Sequence, residues 1–184
     1  MKPRVLITGD SISVGYTEPV KRLLADVADV ERIPVNGGPT TRGVERLSEW
    51  LGETQWDVIH FNFGLHDLKR MDDGRHQVLI EQYALNLQRM VRRMQQTGAR
   101  LIWASTTPVP EGSSPPRMPE DAIAYNEAAA AVMVEAGVPI NDLYSLCLPR
   151  LEELQLPANV HFSEHGSEVL GGWVAEAIGR QLQG

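Results

Sequence analysis

The feature that most constrains the fold is an alternation of short, apolar, β-rich segments with longer segments of helical periodicity. Five strands are predicted, over residues 4–8, 31–35, 57–63, 100–105 and 138–141. Five helices are predicted, over residues 19–28, 42–52, 77–96, 120–137 and about 164–182. Strands that are apolar on both faces and alternate with helices are typical of a parallel sheet covered on each side. The sequence therefore predicts an α/β protein.

Length and charge limit the classes of protein to which the chain can belong. A chain of 184 residues fits a single domain, 1–184, with one large core. Its net charge of −7 argues against nucleic acid or an anionic membrane as the main partner. No apolar run approaches the ~18 residues that span a bilayer, and the first strand begins too early for a signal peptide to precede it. We expect a cytoplasmic protein, although a chain trimmed of its leader would begin in the same way, and the oligomeric state is undefined.

Cysteine and histidine give no indication of a metal or another cofactor. Cys147 is the only cysteine, which excludes an intrachain disulfide and a thiolate cluster, and its apolar neighbours indicate a buried thiol. His161 and His165 have the spacing of a metal pair. Ser163 between them would interrupt a helix, and no third ligand is evident. The sequence therefore predicts no cofactor.

Polar residues follow the ends of four predicted strands, and in a parallel sheet these ends lie along one edge. The first strand ends in Gly9-Asp10-Ser11, a corner in which a serine is held clear of the sheet with backbone N–H groups near its oxygen. The same tripeptide is also an ordinary turn sequence. The residues at the other three ends are Asn36, Gly37 and Gly38; Asn62, Gly64, His66 and Asp67; and Thr106 and Thr107.

These residues include donors that a nucleophilic serine requires. Attack on a carbonyl needs donors for the oxyanion, and Gly37 and Gly38 offer backbone N–H groups while His66 offers a ring N–H. Each also has a purely structural explanation, because the glycines suit a turn and His66 could cap the following helix. The Pro/Gly/Ser-rich loop 108–116 follows the fourth strand, where it either walls a ligand site or is a mobile connection.

A base for the serine must come from one of the histidines. His161 lies in the extended segment 156–163, just before the last helix, for which Ser163 is a suitable N-cap. A histidine on such a loop can be placed over the sheet edge. By contrast, His60 lies within a strand and is expected in the core, and His76 lies in a polar stretch and is expected to be exposed.

Four short motifs occur in order along the chain: Gly9-Asp10-Ser11, Gly38, Gly64-Leu65-His66-Asp67 and Val160-His161-Phe162. Their order resembles the four blocks of the SGNH (GDSL) hydrolase superfamily and covers essentially the whole chain. The resemblance implies a three-layer α/β/α sandwich similar to flavodoxin. It also implies that Ser11 is the nucleophile, that His161 is the base, and that the oxyanion donors are the Ser11 and Gly38 N–H groups and the His66 side chain. Asp10 and Asp67 are expected to support them.

Two positions differ from the pattern of the superfamily. The third block normally has asparagine where this chain has His66, but a neutral imidazole also donates one N–H. The last block normally has aspartate three residues before the histidine, where this chain has Ala158. His161 would then be oriented by a backbone carbonyl, as a Ser–His dyad, or by another acid, for which Glu164 is a weak candidate.

The resemblance implies a serine-dependent ester hydrolase that releases a small acyl group, acetyl in preference, from a carbohydrate or another small alcohol. The low aromatic content and the absence of a long apolar lid argue against a long-chain lipase. One alternative is a thioesterase or lysophospholipase of the same superfamily. Another is a catalytically weak or silent carbohydrate-binding relative, in which Ala158 marks the loss of activity.

Overall fold

The sheet is parallel and has five strands. The computed structural model describes residues 1–183, and the strand order is β2-β1-β3-β4-β5. All four pairings are parallel. The strands are β1 (Arg4–Gly9), β2 (Asp29–Arg32), β3 (Val58–Asn62), β4 (Arg100–Ala104) and β5 (Ile140–Asn141). The predicted α/β class and parallel sheet are confirmed.

Helices cover both faces of the sheet. They are α1 (Ser11–Leu23), α2 (Thr40–Leu51), α3 (Ile80–Gln95), α4 (Pro119–Ala136), α5 (Leu143–Cys147), α6 (Leu151–Leu154) and α7 (Glu164–Gln183), with a 3₁₀ turn at Leu148–Arg150. Helix α1 packs against α7, and α3 packs between α2 and α4. The arrangement is the expected three-layer sandwich, with the central strand β3 buried along its whole length. No helix in residues 1–183 combines the length and the apolar character needed to cross a bilayer.

The first helix begins earlier than predicted, at Ser11 instead of Pro19. The prediction used Pro19 as a first-turn residue, a position that proline favours. In the structure Pro19 lies inside α1 and packs against α7, where a Cβ added at Gly171 would be 2.4 Å from the Pro19 Cβ. The cap is Asp10, whose side chain accepts from the Ile12 N–H.

The strand and helix boundaries elsewhere differ by a few residues. Strand β2 ends at Arg32 instead of 35, and β5 contains only two residues. Helices α5 and α6 were not predicted, because elements of five and four residues are too short to show a periodic pattern. All strand ends that carry polar residues lie at the same edge of the sheet, which is where the site is found.

Candidate active site

The turn between β1 and α1 holds Ser11 at the N-terminus of a helix. Asp10 is 1% exposed, and its Oδ1 accepts from the Ile12 N–H at 2.9 Å and from Asn62 Nδ2 at 2.7 Å. Ser11 is the first residue of α1, so the helix provides no acceptor for its backbone N–H. This N–H and the positive end of the helix dipole therefore lie beside the serine oxygen.

Close backbone packing fixes the same turn. A Cβ added at Gly9 would lie 1.9 Å from Asn62 Oδ1, so only glycine fits at the end of β1. The Gly37 N–H donates to the Gly9 carbonyl at 2.8 Å. The N–H of Gly37 is consequently engaged in the structure of the turn, which leaves Gly38 as the predicted oxyanion donor of this loop.

Arg32, at the end of β2, ties this turn to the neighbouring loop. Its Nη2 lies 3.3 Å from the carbonyl oxygens of Gly9 and of Asp10, and its Nε donates to Ser13 Oγ at 3.2 Å. Its Nη1 donates to the Ile33 carbonyl at 2.6 Å. Arg32 was not predicted, because nothing in the sequence of a short strand indicates that an arginine at its end turns back onto the first loop.

His161 lies within hydrogen-bonding distance of the proposed nucleophile. Its Nε2 is 2.9 Å from Ser11 Oγ, and its Nδ1 is 2.8 Å from Asn159 Oδ1. The His161 backbone N–H also donates to Asn159 Oδ1, at 3.0 Å. A backbone N–H requires an acceptor, so the amide atom facing His161 is the oxygen, and Nδ1 must carry the proton that this oxygen accepts. Nε2 is then the unprotonated nitrogen, ready to accept the Ser11 proton.

Asn159 thus occupies the orienting role for which the sequence offered only a backbone carbonyl or Glu164. Ala158 adopts a left-handed conformation (φ 51°), and the turn that it forms brings Asn159 under the imidazole. Glu164 is the exposed first residue of α7 and makes no hydrogen bond to His161 among the bonds of residues 1–183. Asn159 was not predicted because the superfamily has its carboxylate at the position of Ala158, although the amide two residues before the histidine was visible.

His66 lines the same cavity as Ser11 and His161. Burial lowers the pKa of His66; the negative charge of Asp10 opposes this shift, and the positive charges of Arg117, Lys69 and Arg42 add to it. The ring is therefore neutral at neutral pH and has one N–H to donate. Such a donor suits an oxyanion as the asparagine amide of the superfamily does.

The Gly38 N–H is covered in this structure. It donates to the Asn36 side-chain oxygen at 3.0 Å, and Gly38 adopts a left-handed conformation with φ 66°. Asn36 is exposed and lines the cavity beside Ser11. A substrate oxygen would reach the Gly38 N–H by displacing the Asn36 amide oxygen, which occupies the position of an acceptor.

Asp67 supports the site from below and does not touch the reacting atoms. It accepts the Thr40 N–H at 3.0 Å and also the Thr40 hydroxyl, which in turn accepts from Asn86 Nδ2 at 3.0 Å. Burial raises the pKa of Asp67 to about 7, against the lowering effect of the bonds from Thr40. Asp67 therefore joins the loop after β3 to the N-terminus of α2.

Two small cavities flank Ser11 and His161. One has a volume of about 210 Å³ and includes Asn36, His66 and Arg117 in its wall. The other has a volume of about 90 Å³, with Ile12, Phe162 and Leu170 among its apolar lining residues. Both are below the range of roughly 300–1,000 Å³ that is common for ligand pockets, so the site is suited to small groups.

The remaining histidines lie outside the site. His60 is fully buried against Asn141, and burial lowers its pKa to about 3. His76 is only partly exposed and lies beside Asp121, whereas His165 lies on Glu153 at the surface. Among residues 1–183 no group of three or more His, Cys, Asp or Glu side chains could hold a metal ion.

Known proteins share this fold and its sequence pattern. The GDSL-like Lipase/Acylhydrolase family matches residues 7–169 of the chain. The lipase/acylhydrolase from Enterococcus faecalis is 24% identical, with 97% of this chain and 96% of that chain covered and a TM-score of 0.84. The acetyl xylan esterase AlAXEase is 14% identical, with 95% and 99% covered and a TM-score of 0.82. No curated protein matches the chain in sequence.

A third structure, of TesA, is 18% identical, with 97% of this chain and 99% of that chain covered and a TM-score of 0.78. At such identities the solved structures show only that the fold is shared. The family match, which covers residues 7–169, shows the family. The chain belongs to the GDSL-like lipase/acylhydrolase family, the SGNH hydrolases, and is a carboxylic ester hydrolase.

Proposed function

We propose that the protein hydrolyses esters of short acyl groups, acetyl in preference, on a carbohydrate or another small alcohol, through an acyl-enzyme on Ser11. One observation carries the proposal: Ser11 Oγ lies 2.9 Å from a His161 nitrogen whose partner nitrogen is held by Asn159. This arrangement is that of an activated nucleophile and argues against a silent relative. The identity of the alcohol and the length of the acyl group are proposed together with the reaction.

The reaction proceeds in two stages. Ser11 Oγ attacks the ester carbonyl while its proton passes to His161 Nε2, and Asn159 Oδ1 stabilises the imidazolium through Nδ1–H. The Ser11 and Gly38 N–H groups and His66 donate to the oxyanion. The imidazolium then gives its proton to the leaving alcohol. Water, deprotonated by His161, attacks the acyl-enzyme and releases the acid together with free Ser11.

The preference for a short acyl group is supported by the space around Ser11. The cavity of about 90 Å³ on one side of the serine, which has no Lys, Arg, Asp or Glu side chain in its wall, has room for a methyl group or a few carbons, not for a long chain. A lysophospholipase would need a long apolar groove. A thioesterase differs only in its leaving group, so substrate comparison is needed to separate it from an esterase.

The test is covalent labelling of the nucleophile. We expect a fluorophosphonate to label the wild-type protein and to leave Ser11→Ala unlabelled, while Ser48→Ala, at an exposed position of α2, is still labelled. Acetyl, butyryl and octanoyl esters of 4-nitrophenol and the matching thioesters then rank acyl length and leaving group. Equal labelling of wild type and Ser11→Ala would show that the nucleophile lies elsewhere.

A further inference from the structure

The larger cavity beside Ser11 is cationic, although the protein has a net charge of −7. Lys69 and Arg117 lie in its wall, next to His66, and no Asp or Glu side chain does. A cavity lined by one sign of charge concentrates ligands of the opposite sign. In an acidic protein this local excess of positive charge therefore points to a ligand with negative charge.

Arg117 is a buried cation without a carboxylate partner. It is 7% exposed, its Nε donates to the Leu65 carbonyl at 2.7 Å, and its Nη1 donates to the Pro115 carbonyl at 3.1 Å. None of the ion pairs of residues 1–183 includes it, and its Nη2 has no protein acceptor among those residues. Burying an unpaired charge is costly, and an anion in the cavity would offset this cost.

Lys69 adds a second positive charge to the same wall. Its side chain is half-buried, and its ammonium has no hydrogen-bond or ion-pair partner among residues 1–183. Asp10 is buried and its charge attracts Arg117, but its Oδ1 accepts from the Ile12 N–H and Asn62, and it lies outside the wall of the cavity. The two cations are therefore available to a ligand.

The two cavities at Ser11 differ in chemistry, and this difference gives the substrate a direction. The smaller cavity contains Ile12, Phe162 and Leu170 beside Gly15 and Ser167, has no Lys, Arg, Asp or Glu side chain in its wall, and suits the short hydrocarbon part of an acyl group. The larger cavity, with Arg117 and Lys69, remains for the alcohol part. An anionic group bound there would anchor the ester with its carbonyl at Ser11.

We propose that the substrate is a short-chain ester whose alcohol part carries a carboxylate or phosphate, which binds to Arg117 and Lys69. This inference rests on the proposed function of Ser11. A carboxylate or a phosphate forms paired, charge-assisted hydrogen bonds with a guanidinium, and an ammonium adds a point charge. The two cations thus select the alcohol, while the volume of the smaller cavity limits the acyl group.

Matched esters test the inference. We expect kcat/KM for 3-acetoxybenzoate to exceed that for its methyl ester by about tenfold or more, and the preference to shrink as salt is raised, because salt screens the attraction. Acetylglycerol phosphate compared with monoacetin asks the same question for phosphate. Monophenyl glutarate compared with its methyl ester places the charge on the acyl side, where we expect no preference.

Variants locate the preference on the two cations. We expect Lys69→Met to reduce the ratio of the two kcat/KM values several-fold and Arg117→Gln to abolish it. Lys21→Met, which removes the same charge from the exposed face of α1, should keep the wild-type ratio. Because Arg117 also ties two loops together, thermal unfolding is measured alongside, and Lys69→Met carries the test if Arg117→Gln fails to fold.

The outcomes separate this inference from the function on which it rests. If neutral esters are hydrolysed and 3-acetoxybenzoate is not preferred over its methyl ester, the inference is overturned, while the proposed esterase activity stands. The same holds if only the glutarate is preferred over its methyl ester. If no ester is hydrolysed, the proposed function fails. Calorimetry then measures the binding of 3-acetoxybenzoate and of its methyl ester to Ser11→Ala, and tighter binding of the anion would still support the anionic site. Equal binding of the two compounds would overturn the inference and leave Arg117 with only a structural role, its hydrogen bonds to the Leu65 and Pro115 carbonyls.

Discussion

A single amide oxygen determines the tautomer of the neutral His161 ring. Asn159 Oδ1 accepts both from the His161 backbone N–H and from Nδ1, which leaves the Nε2 lone pair facing Ser11. An amide cannot stabilise the imidazolium as strongly as a carboxylate, because it carries no net charge. The site therefore has the right tautomer with a weaker electrostatic contribution than the aspartate of the superfamily would give.

Substitution of Asn159 tests this role. We expect Asn159→Ala to lower kcat by about 10²-fold with a smaller change in KM, and Asn159→Asp to equal or exceed the wild type, because a carboxylate accepts the same bonds and adds charge. Ala158→Asp should give little gain, since Nδ1 already has a partner. Steady-state kinetics on a short acyl ester measures all three variants. Full activity in Asn159→Ala would show that His161 is oriented by another group, such as a backbone carbonyl.

His66 is tested by replacing its N–H donor. His66→Asn restores the amide of the superfamily and should stay within about tenfold of the wild-type kcat, whereas His66→Ala should lose about 10²- to 10³-fold, the cost of one oxyanion donor. Because burial lowers the pKa of His66, the wild-type donor is the neutral ring at neutral pH. Equal kcat in the three proteins would remove His66 from the oxyanion site.

At the scale of elements, the ends of three strands and the start of one helix meet at the turn that holds Ser11. Asn62, at the end of β3, donates to the Asp10 side chain just after β1. Arg32, at the end of β2, donates to the carbonyls of Gly9 and Asp10 at the end of β1. Ser11 therefore does not sit on a loop free to move. We expect its position to depend on Arg32, a part-buried arginine that lies outside the walls of both cavities at Ser11.

Loosening this turn should affect the chemical step more than binding. We expect Arg32→Met to reduce kcat and the rate of fluorophosphonate labelling about tenfold or more, with KM for an acetyl ester little changed. Arg32→Lys should recover part of the loss. Arg22→Met, at an exposed position of α1 that pairs with Glu168, is the matched control and should label normally. If Arg32→Met labelled as fast as this control, the turn would hold Ser11 without Arg32.

The order of strands and helices could be predicted because apolar periodicity is a local property of the sequence. Ser11, Gly38, His66 and His161 could be singled out because they belong to short motifs. Arg32 and Arg117 could not, because their roles depend on which backbone groups lie near them in three dimensions. Asn159 lies only two residues before His161 and was visible, but the pattern of the superfamily directs attention to position 158. The start of α1 was predicted wrongly because the cap, Asp10, was considered only as part of the catalytic motif.

At the scale of the whole molecule, two buried groups give stability opposite dependences on pH. Burial lowers the pKa of His60 to about 3, so below about 6.5 the unfolded chain takes up a proton that the folded chain does not, and stability falls as pH falls. Burial raises the pKa of Asp67 to about 7, so above about 3.9 the folded chain keeps a proton that the unfolded chain releases, and stability falls as pH rises.

Removing either group should therefore change the slope of the unfolding free energy against pH in a known direction. Between about pH 4 and about pH 6.5, we expect the unfolding free energy of His60→Gln, relative to the wild type, to decrease with rising pH by about 1.4 kcal/mol per unit. That of Asp67→Asn should increase with rising pH by a similar amount. Urea titrations at several pH values measure both differences. Parallel curves for the three proteins would mean that neither group remains buried in the protonation state that its surroundings impose.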